Sequence, residues 1–409
     1  MKSVKLAFRL FYRNIAHHSL LILQLVLVFI IGSSVVSEIN GFFYQKNIIE
    51  PLDENNYVFL QCINEREMAA GSINQTGLMD YKKFDLASVK KELIGETSFI
   101  TQKSIFAKSI DKTIHYDISC FDQKLLNNFN LPILRGDSFA TTNKTQGLVR
   151  FITDCSDFNI GDSFPIIIEN NGKEIEITLL VVGIAKTPFY GPTTSSTATI
   201  PDASTVLSEH TKSDKNFVSG LICTEDIPYE LNFAVSYDFN YHIFFDESLS
   251  DNEIKKNTSI LKQYGNVSAG TEIIDTTNKN IIEALKIQLP DIIFISLIAL
   301  VGFCGISLIN ISSNMPLFAL YSMLGCSDIK CYIILFCYVL IIDLSALLPA
   351  VLLLISAMFS EYLAQFFPFV NFSTFAIVLI IALLFFLISF AFVLFSFRKR
   401  STKQLLGGD

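Results

Sequence analysis

The chain has 409 residues, of which 51% are hydrophobic and 17% charged, against about 25% charged in soluble domains. The shortfall is local: Asn14–Ser37 holds no Asp, Glu, Lys or Arg, and Gln288–Phe397 holds only Asp291, Asp328, Lys330, Asp343 and Glu361. This excludes a wholly soluble protein and also a β-barrel, whose membrane strands would alternate in polarity rather than run apolar. With 34 acidic and 22 basic residues, Glu38–Ile287 carries a net charge of −12, which argues against nucleic acid as a partner.

Residues 1–17 read as a cytoplasmic amphipathic tail bearing Lys2, Lys5, Arg9 and Arg13. A hydrocarbon layer of about 30 Å takes about 20 apolar residues in a helix, and four segments are long enough: 18–37, 288–311, 331–359 and 372–397. Between the first two lies a large domain, 38–287. In it Asn56–Ile63 is a predicted strand, Asp85–Glu96 a capped helix, and Phe99–Ile110 a strand of alternating polarity. Phe164–Glu169 and Glu174–Ile184 flank Asn171-Gly172, a two-residue hairpin signal. Tyr241–Phe245 is a further strand, Ser250 and Asp251 cap a helix reaching Tyr264, and Val267–Ile274 is predicted as a strand. From about Thr277 the pattern is helical and continues into the second span. Two β-α-β arrangements thus bracket a hairpin-rich middle at about 117–221, so the expected domain is an α+β body built from both ends with a β-rich insert.

The rest comprises a link, 312–330, an outer loop, 360–371, and a tail, 398–409, with Arg398, Lys399, Arg400 and Lys403. Cations before the first span and after the fourth put both termini in the cytoplasm and the 250-residue domain outside. The fold class is therefore four transmembrane helices plus a large extracytoplasmic α+β domain between helices 1 and 2, in a multi-pass protein of the cell membrane. Small residues at Gly32-Ser33-Ser34 offer a second reading of the first span, a cleaved signal peptide, which leaves the remaining topology unchanged.

The chain has no G-x-x-x-x-G-K-[ST], H-E-x-x-H or G-x-S-x-G motif and no cysteine pair at zinc-finger spacing. The expectation is a protein that is not itself an enzyme and holds no metal or cofactor. His17 and His18 adjoin at the membrane edge and read as interfacial. The outer cysteines, Cys62, Cys120, Cys155 and Cys223, allow three disulfide pairings or four isolated core thiols. Asp343 lies well inside the third span, where an ionised carboxylate costs about 2.5–3.5 kcal/mol. It is either an inward-facing relay or ligand contact, or a protonated or hydrogen-bonded carboxyl at a helix seam. Pro349, six residues on, is expected to kink the same helix.

Two stretches carry a resemblance. One is Phe318-Ala319-Leu320-Tyr321-Ser322-Met323-Leu324-Gly325-Cys326-Ser327, between the second and third spans. The other is a series in the outer domain: Leu134-Arg135-Gly136-Asp137, Asn159-Ile160-Gly161-Asp162, Val181-Val182-Gly183-Ile184 and Thr199-Ile200-Pro201. With the topology, these resemble the MacB/FtsX family of ABC-transporter permeases, here without a fused ATPase domain. The resemblance implies a permease subunit whose ATP and Mg are held by a separate cytoplasmic ABC ATPase. The ATPase would dock on the link through Phe318, Ala319, Leu320, Leu324, Gly325 and Ser327, with Gly325 closing the helix at positive φ. It also implies a second permease copy or a paralogous one, and membrane lipid around both. The mechanism implied is mechanotransmission: movement of the outer domain for export or extraction of a peptide, antibiotic or lipid-linked molecule. The alternative is FtsX-like signalling, in which the same movement activates an outer partner without transport. Pro316 and Leu317 stand where the family often has charged residues, so the usual polar docking contacts are not expected.

Overall fold

The computed structural model describes residues 2–13, 15–53, 56–62, 82–170, 173–195, 201–210, 212–214, 216–228, 235–236, 240–323, 326–358, 363, 366–367 and 369–398. The chain divides into two compact units, Met1–Gly41 with Ile282–Asp409, and Phe42–Ile281. In chain order the elements are α1 (Lys2–Arg13), α2 (Ile15–Ile49), β1 (Tyr57–Gln61), α3 (Leu86–Glu92), β2 (Thr97–Ile100), β3 (Lys103–Ser109), β4 (His115–Phe121), α4 (Gln123–Asn127), β5 (Ile133–Gly136), β6 (Val149–Thr153), β7 (Ser163–Asn170) and β8 (Lys173–Ala185). There follow β9 (Tyr190–Pro192), α5 (Ala203–Val206), β10 (Leu207–Glu209), β11 (Phe217–Cys223), β12 (Val235–Ser236), β13 (Asn240–Phe245), α6 (Asp251–Leu261), β14 (Asn266–Ala269), α7 (Gly270–Met323), α8 (Asp328–Ala357) and α9 (Phe372–Arg398).

In the Phe42–Ile281 unit the first sheet runs β14-β1-β13-β2, with every neighbouring pair antiparallel. With α3 joining β1 to β2 and α6 joining β13 to β14, this is a split β-α-β-β-α-β unit whose central connection has been replaced by 103–236. Asp85 caps α3 by accepting from the Ser88 N–H at 3.1 Å. Ser250 starts α6, its N–H and hydroxyl donating to Glu253 Oε2 at 2.9 and 2.7 Å, so both caps follow local side-chain chemistry.

The insert is a closed ring of strands. β3 pairs with β4, β4 with β11, β11 with β6, β6 with β8, β8 with β7, and β7 with β3 again. β5 lies outside on β8 and β12 on β3. Inward-facing Ile105, Ile118, Val149, Phe151, Ile166, Leu179, Val181 and Val218 fill the interior, and closure leaves few unpaired edges. What the composition excludes is a barrel that crosses a membrane; this one is built into the polar part of the chain. The β7–β8 register ends at Asn170 opposite Lys173, a two-residue connection, though Asn171 and Gly172 lie outside the described residues.

Two predicted strands are corrected. Phe99–Ile110 is not one strand, because the chain changes sheets at Gln102. Its N–H donates to Thr194 Oγ1 at 3.1 Å, its Nε2 to Ser119 Oγ at 3.1 Å, and its Oε1 accepts from Thr193 Oγ1 at 3.2 Å. Val267–Ile274 splits into β14 and the start of α7: Gly270 passes so close to Leu52 that a Cβ there would lie 2.2 Å from the Leu52 carbonyl oxygen, so the strand stops.

The outer fragments of the resemblance meet at β8. Asp137 N–H donates to Val182 O, Gly161 N–H to Val181 O, and Val181 N–H to Asp162 O, each at 2.9 Å. Gly136 has φ of +84° and faces Gly183; a Cβ on Gly136 would stand 2.3 Å from Val182 O, and one on Gly183 2.7 Å from Asp137 O. Thr199 and Ile200 lie outside the described residues. Cys62, Cys120, Cys155 and Cys223 are all buried in the Phe42–Ile281 unit, and none of them is joined in a disulfide in this structure.

The unit Met1–Gly41 with Ile282–Asp409 contains the apolar helices. Among the described residues, four helices are long and apolar enough to cross a membrane: His18–Leu52, Gly270–Gly305, Ile329–Ala357 and Phe372–Phe395. Leu21, Leu25 and Phe29 of α2, Phe303 of α7, Val339 and Ala346 of α8 and Val378 and Val393 of α9 form one buried core, which Ala7, Leu10 and Phe11 of α1 join. His18, expected at an interface, is instead fully buried. Its ring stacks on Phe11 at 5.1 Å, and Tyr338 Oη lies 3.2 Å from its Nε2.

Two buried histidines give the Phe42–Ile281 unit a built-in acid response. His242 Nε2 is 3.0 Å from Thr193 O, which can only accept, so Nε2 carries the proton and Nδ1 accepts from Tyr57 Oη at 2.8 Å. Burial pushes its pKa down to about 3, and that of His210, stacked on Phe189, down to about 4. Both values lie below the unfolded value of about 6.5. The stability they confer is therefore complete above about pH 6.5 and is lost as pH falls towards the folded values, at about 1.4 kcal/mol per pH unit for each site. Denaturation of the full chain in detergent should show the Phe42–Ile281 unit losing stability between about pH 6.5 and 4. His242→Gln should lower stability at neutral pH and flatten that slope; an unaltered slope would remove His242 as its source.

Candidate coupling site

The segment singled out by sequence lies where α7 ends and α8 begins. α7 does not stop at residue 311: it runs to Met323 with Pro290 and Pro316 inside it. Each proline lacks the N–H that would bond four residues back, which frees the carbonyls of Lys286 and Ser312 without ending the helix. The predicted link 312–330 is therefore mostly helical. The Cys326 N–H donates to Tyr321 O at 2.9 Å, the six-to-one bond of a Schellman closure. Leu324 and Gly325, which it spans, lie outside the described residues. Ser327 is the N-cap of α8 in extended geometry, and its carbonyl accepts from Lys330 N–H at 2.9 Å.

The predicted docking residues separate into two kinds. Phe318 is 2% exposed within the helix core, with Tyr321 edge-on to it at 6.5 Å. Leu320 is 45% and Met323 60% exposed, and on a helix this three-residue spacing puts them on one face. Ile329, at the start of α8, is also exposed. Ala319 is helical, but its side chain lies outside the described residues. Phe318 is therefore held within the helix core, while Leu320 and Met323 form an uncovered apolar face at the elbow.

Asp343 is 4% exposed, among Val339, Ile342 and Ala346 of the core. Its Oδ1 has no hydrogen-bond partner among the described residues. The structure thus turns the carboxyl inward and brings no described cation or donor to that oxygen. Two residues on, Ser345 Oγ donates to Ile341 O at 2.7 Å.

Two polar clusters escaped the sequence reading. One is Phe11–His18–Tyr338, described above. At the other end of the first span, Phe369 N–H donates to Ser37 Oγ at 2.7 Å and Ser34 Oγ to Phe366 O at 2.8 Å. There Asn40 Nδ2 also donates to Asn371 Oδ1 and Thr374 Oγ1, each at 3.2 Å. Gly41 admits the Phe369 ring, which would stand 2.6 Å from a Cβ. The signal was there: Ser34, Ser37 and Asn40 recur every three residues and so share one helix face.

No family model matches the chain, and no curated protein matches it. Among solved structures it is similar to the periplasmic region of MacB from Actinobacillus actinomycetemcomitans, at 11% identity over 57% of this chain and 95% of that one, with a TM-score of 0.29. So loose a superposition carries no argument about fold or function; the fold stands on the strand pairings given above.

Phe318→Ala should cost about 3 kcal/mol of bundle stability through the cavity it leaves, whereas Leu320→Ala should cost under about 0.5 kcal/mol; unfolding of the detergent-solubilised chain compares them. Asp343→Asn keeps the shape and should leave both stability and in-cell function close to the parent. Lost function at unchanged stability would instead assign chemistry to the carboxyl.

Proposed function

We propose that the chain is the permease-type membrane subunit of an ATP-driven assembly of the MacB/FtsX kind, moved by a separate ABC ATPase that docks on the elbow at Leu320 and Met323. One observation carries the reading: the large Phe42–Ile281 unit is entered and left through helices that are themselves spans, since α2 continues to Ile49 and α7 begins at Gly270. Displacement of either span is then carried into that unit by unbroken helix rather than by a flexible linker. The absence of a phosphate-binding loop in the sequence fits energy supplied by another chain, which would hold ATP and Mg. The work done would be export or extraction of a peptide, antibiotic or lipid-linked molecule, with two such chains, or one and a paralogue, acting together.

The test is co-purification of the full chain with the ABC ATPase it recruits in its own cells, followed by ATP hydrolysis in lipid discs. The paired substitution Leu320→Asp with Met323→Asp should abolish recovery of the ATPase while the chain stays folded and membrane-inserted. Recovery of the ATPase at parent level would overturn the assigned docking face. Hydrolysis raised only by an added outer protein, and by no peptide or lipid, would replace transport with signalling.

A further inference from the structure

We propose that α1 is a lipid-reading helix, with Val4, Phe8 and Tyr12 entering the acyl boundary and Lys5, Arg9 and Arg13 engaging the headgroups of anionic phospholipid. This inference needs α2 as a span but does not depend on an ATPase partner. At about 100° per residue, α1 divides into three sectors. Ala7, Leu10 and Phe11 are buried in the helix core. Val4, Phe8 and Tyr12 are exposed and fall within the adjoining arc of about 80°. Lys5, Arg9 and Arg13, also exposed, fill the next arc of about 80°.

The sectors are fixed in rotation, because Phe11 stacks on His18 at 5.1 Å and His18 lies 3.2 Å from Tyr338 Oη. A helix pinned in this way presents the same apolar stripe and the same basic stripe at all times. Cations near the end of a span set its orientation whichever way they point; gathering them in one sector beside an apolar stripe is the pattern of a helix lying in the membrane interface. No acidic residue precedes Glu38, so nothing on α1 repels anionic headgroups. Tyr12, with an apolar ring and a polar tip, sits at the border of the two stripes, as residues at a headgroup boundary do. Each Lys or Arg held near an anionic leaflet strengthens attraction about fivefold, and three on the order of a hundredfold.

The chain contains no Trp, so Tyr12→Trp gives the full chain a single indole at this border. Reconstituted in phosphatidylcholine vesicles with a quarter phosphatidylglycerol, it is quenched in turn by the brominated form of each lipid. The expected result is quenching by brominated phosphatidylglycerol corresponding to at least twice its bulk share. That excess should fall as salt rises and the screening length shortens, and should vanish in Lys5→Gln with Arg9→Gln and Arg13→Gln. The salt series on Tyr12→Trp alone needs no basic-site variant to fold. Quenching in proportion to bulk composition, or excess quenching indifferent to salt, overturns the headgroup assignment. No quenching by either lipid overturns the interfacial placement and gives this face to a second copy, another protein or water.

Discussion

A peptide group inside hydrocarbon has no water to pair with, so a crossing segment must satisfy every N–H and C=O from within itself. That constraint decides the form of the Met1–Gly41 and Ile282–Asp409 unit. α2, α7, α8 and α9 are long continuous helices, and serines within them return their hydroxyls to the preceding turn, as Ser33 does to Phe29 O at 2.5 Å and Ser345 to Ile341 O at 2.7 Å. Prolines are accepted at 290, 316 and 349 because each frees one carbonyl rather than ending the helix. The same constraint makes side-chain polarity expensive within the spans, so among the described residues most polar side-chain contacts of this unit gather at their ends.

The Phe42–Ile281 unit is governed by closeness of approach. Gly136 of β5 meets Gly183 of β8, and Gly220 of β11 stands where a Cβ would come 2.4 Å from Ile152 O of β6, so these strands lie side by side only because side chains are missing there. Its loops are tied by one charged knot. Arg150 donates to Asp226 through Nε at 2.6 Å and Nη2 at 3.1 Å, to Phe139 O and Thr142 O through Nη1 at 2.9 and 2.7 Å, and to Gln123 Oε1 at 3.2 Å. Five acceptors offset the desolvation of a guanidinium that is fully buried. Removing either partner alone would strand a charge at about 3–5 kcal/mol. The pair therefore specifies where three separate loops lie more than it adds net stability.

Local chemistry was legible and long-range closure was not. Apolar runs without charge marked the spans; Asp85 and Ser250 marked helix starts; Asn171-Gly172 marked the β7–β8 pairing. Phe99–Ile110 misled because alternation persists across Gln102, although the two halves pair with different partners, a matter of tertiary hydrogen bonds to residues about 90 positions away. The return of β7 to β3 has no local signature either, since Ala107 opposes Ile168 across 61 residues of chain. At the elbow, Phe318 and Leu320 look alike in sequence, and only tertiary packing, which buries the former in the helix core and leaves the latter exposed, tells them apart. His18 looked interfacial because polarity at a span end usually is; Phe11 and Tyr338, on two other helices, bury it.

The helices of the membrane unit are unequally held. Apolar faces gain little from meeting one another when the alternative is lipid, so hydrogen bonds and close packing decide which helices stay together. α2 is bonded at one end to α8 through His18 and at the other to the segment before α9 and its first turn through Ser34, Ser37 and Asn40. α7 contributes Gln288 Nε2 to Glu38 Oε2 at 2.8 Å and a seam where Gly302 leaves room for Gln24, whose Oε1 would be 3.0 Å from a Cβ. Only 11% of its span is buried, against 33% for each of the other three. Of the four candidate spans α7 is thus the one least covered by the rest of the chain.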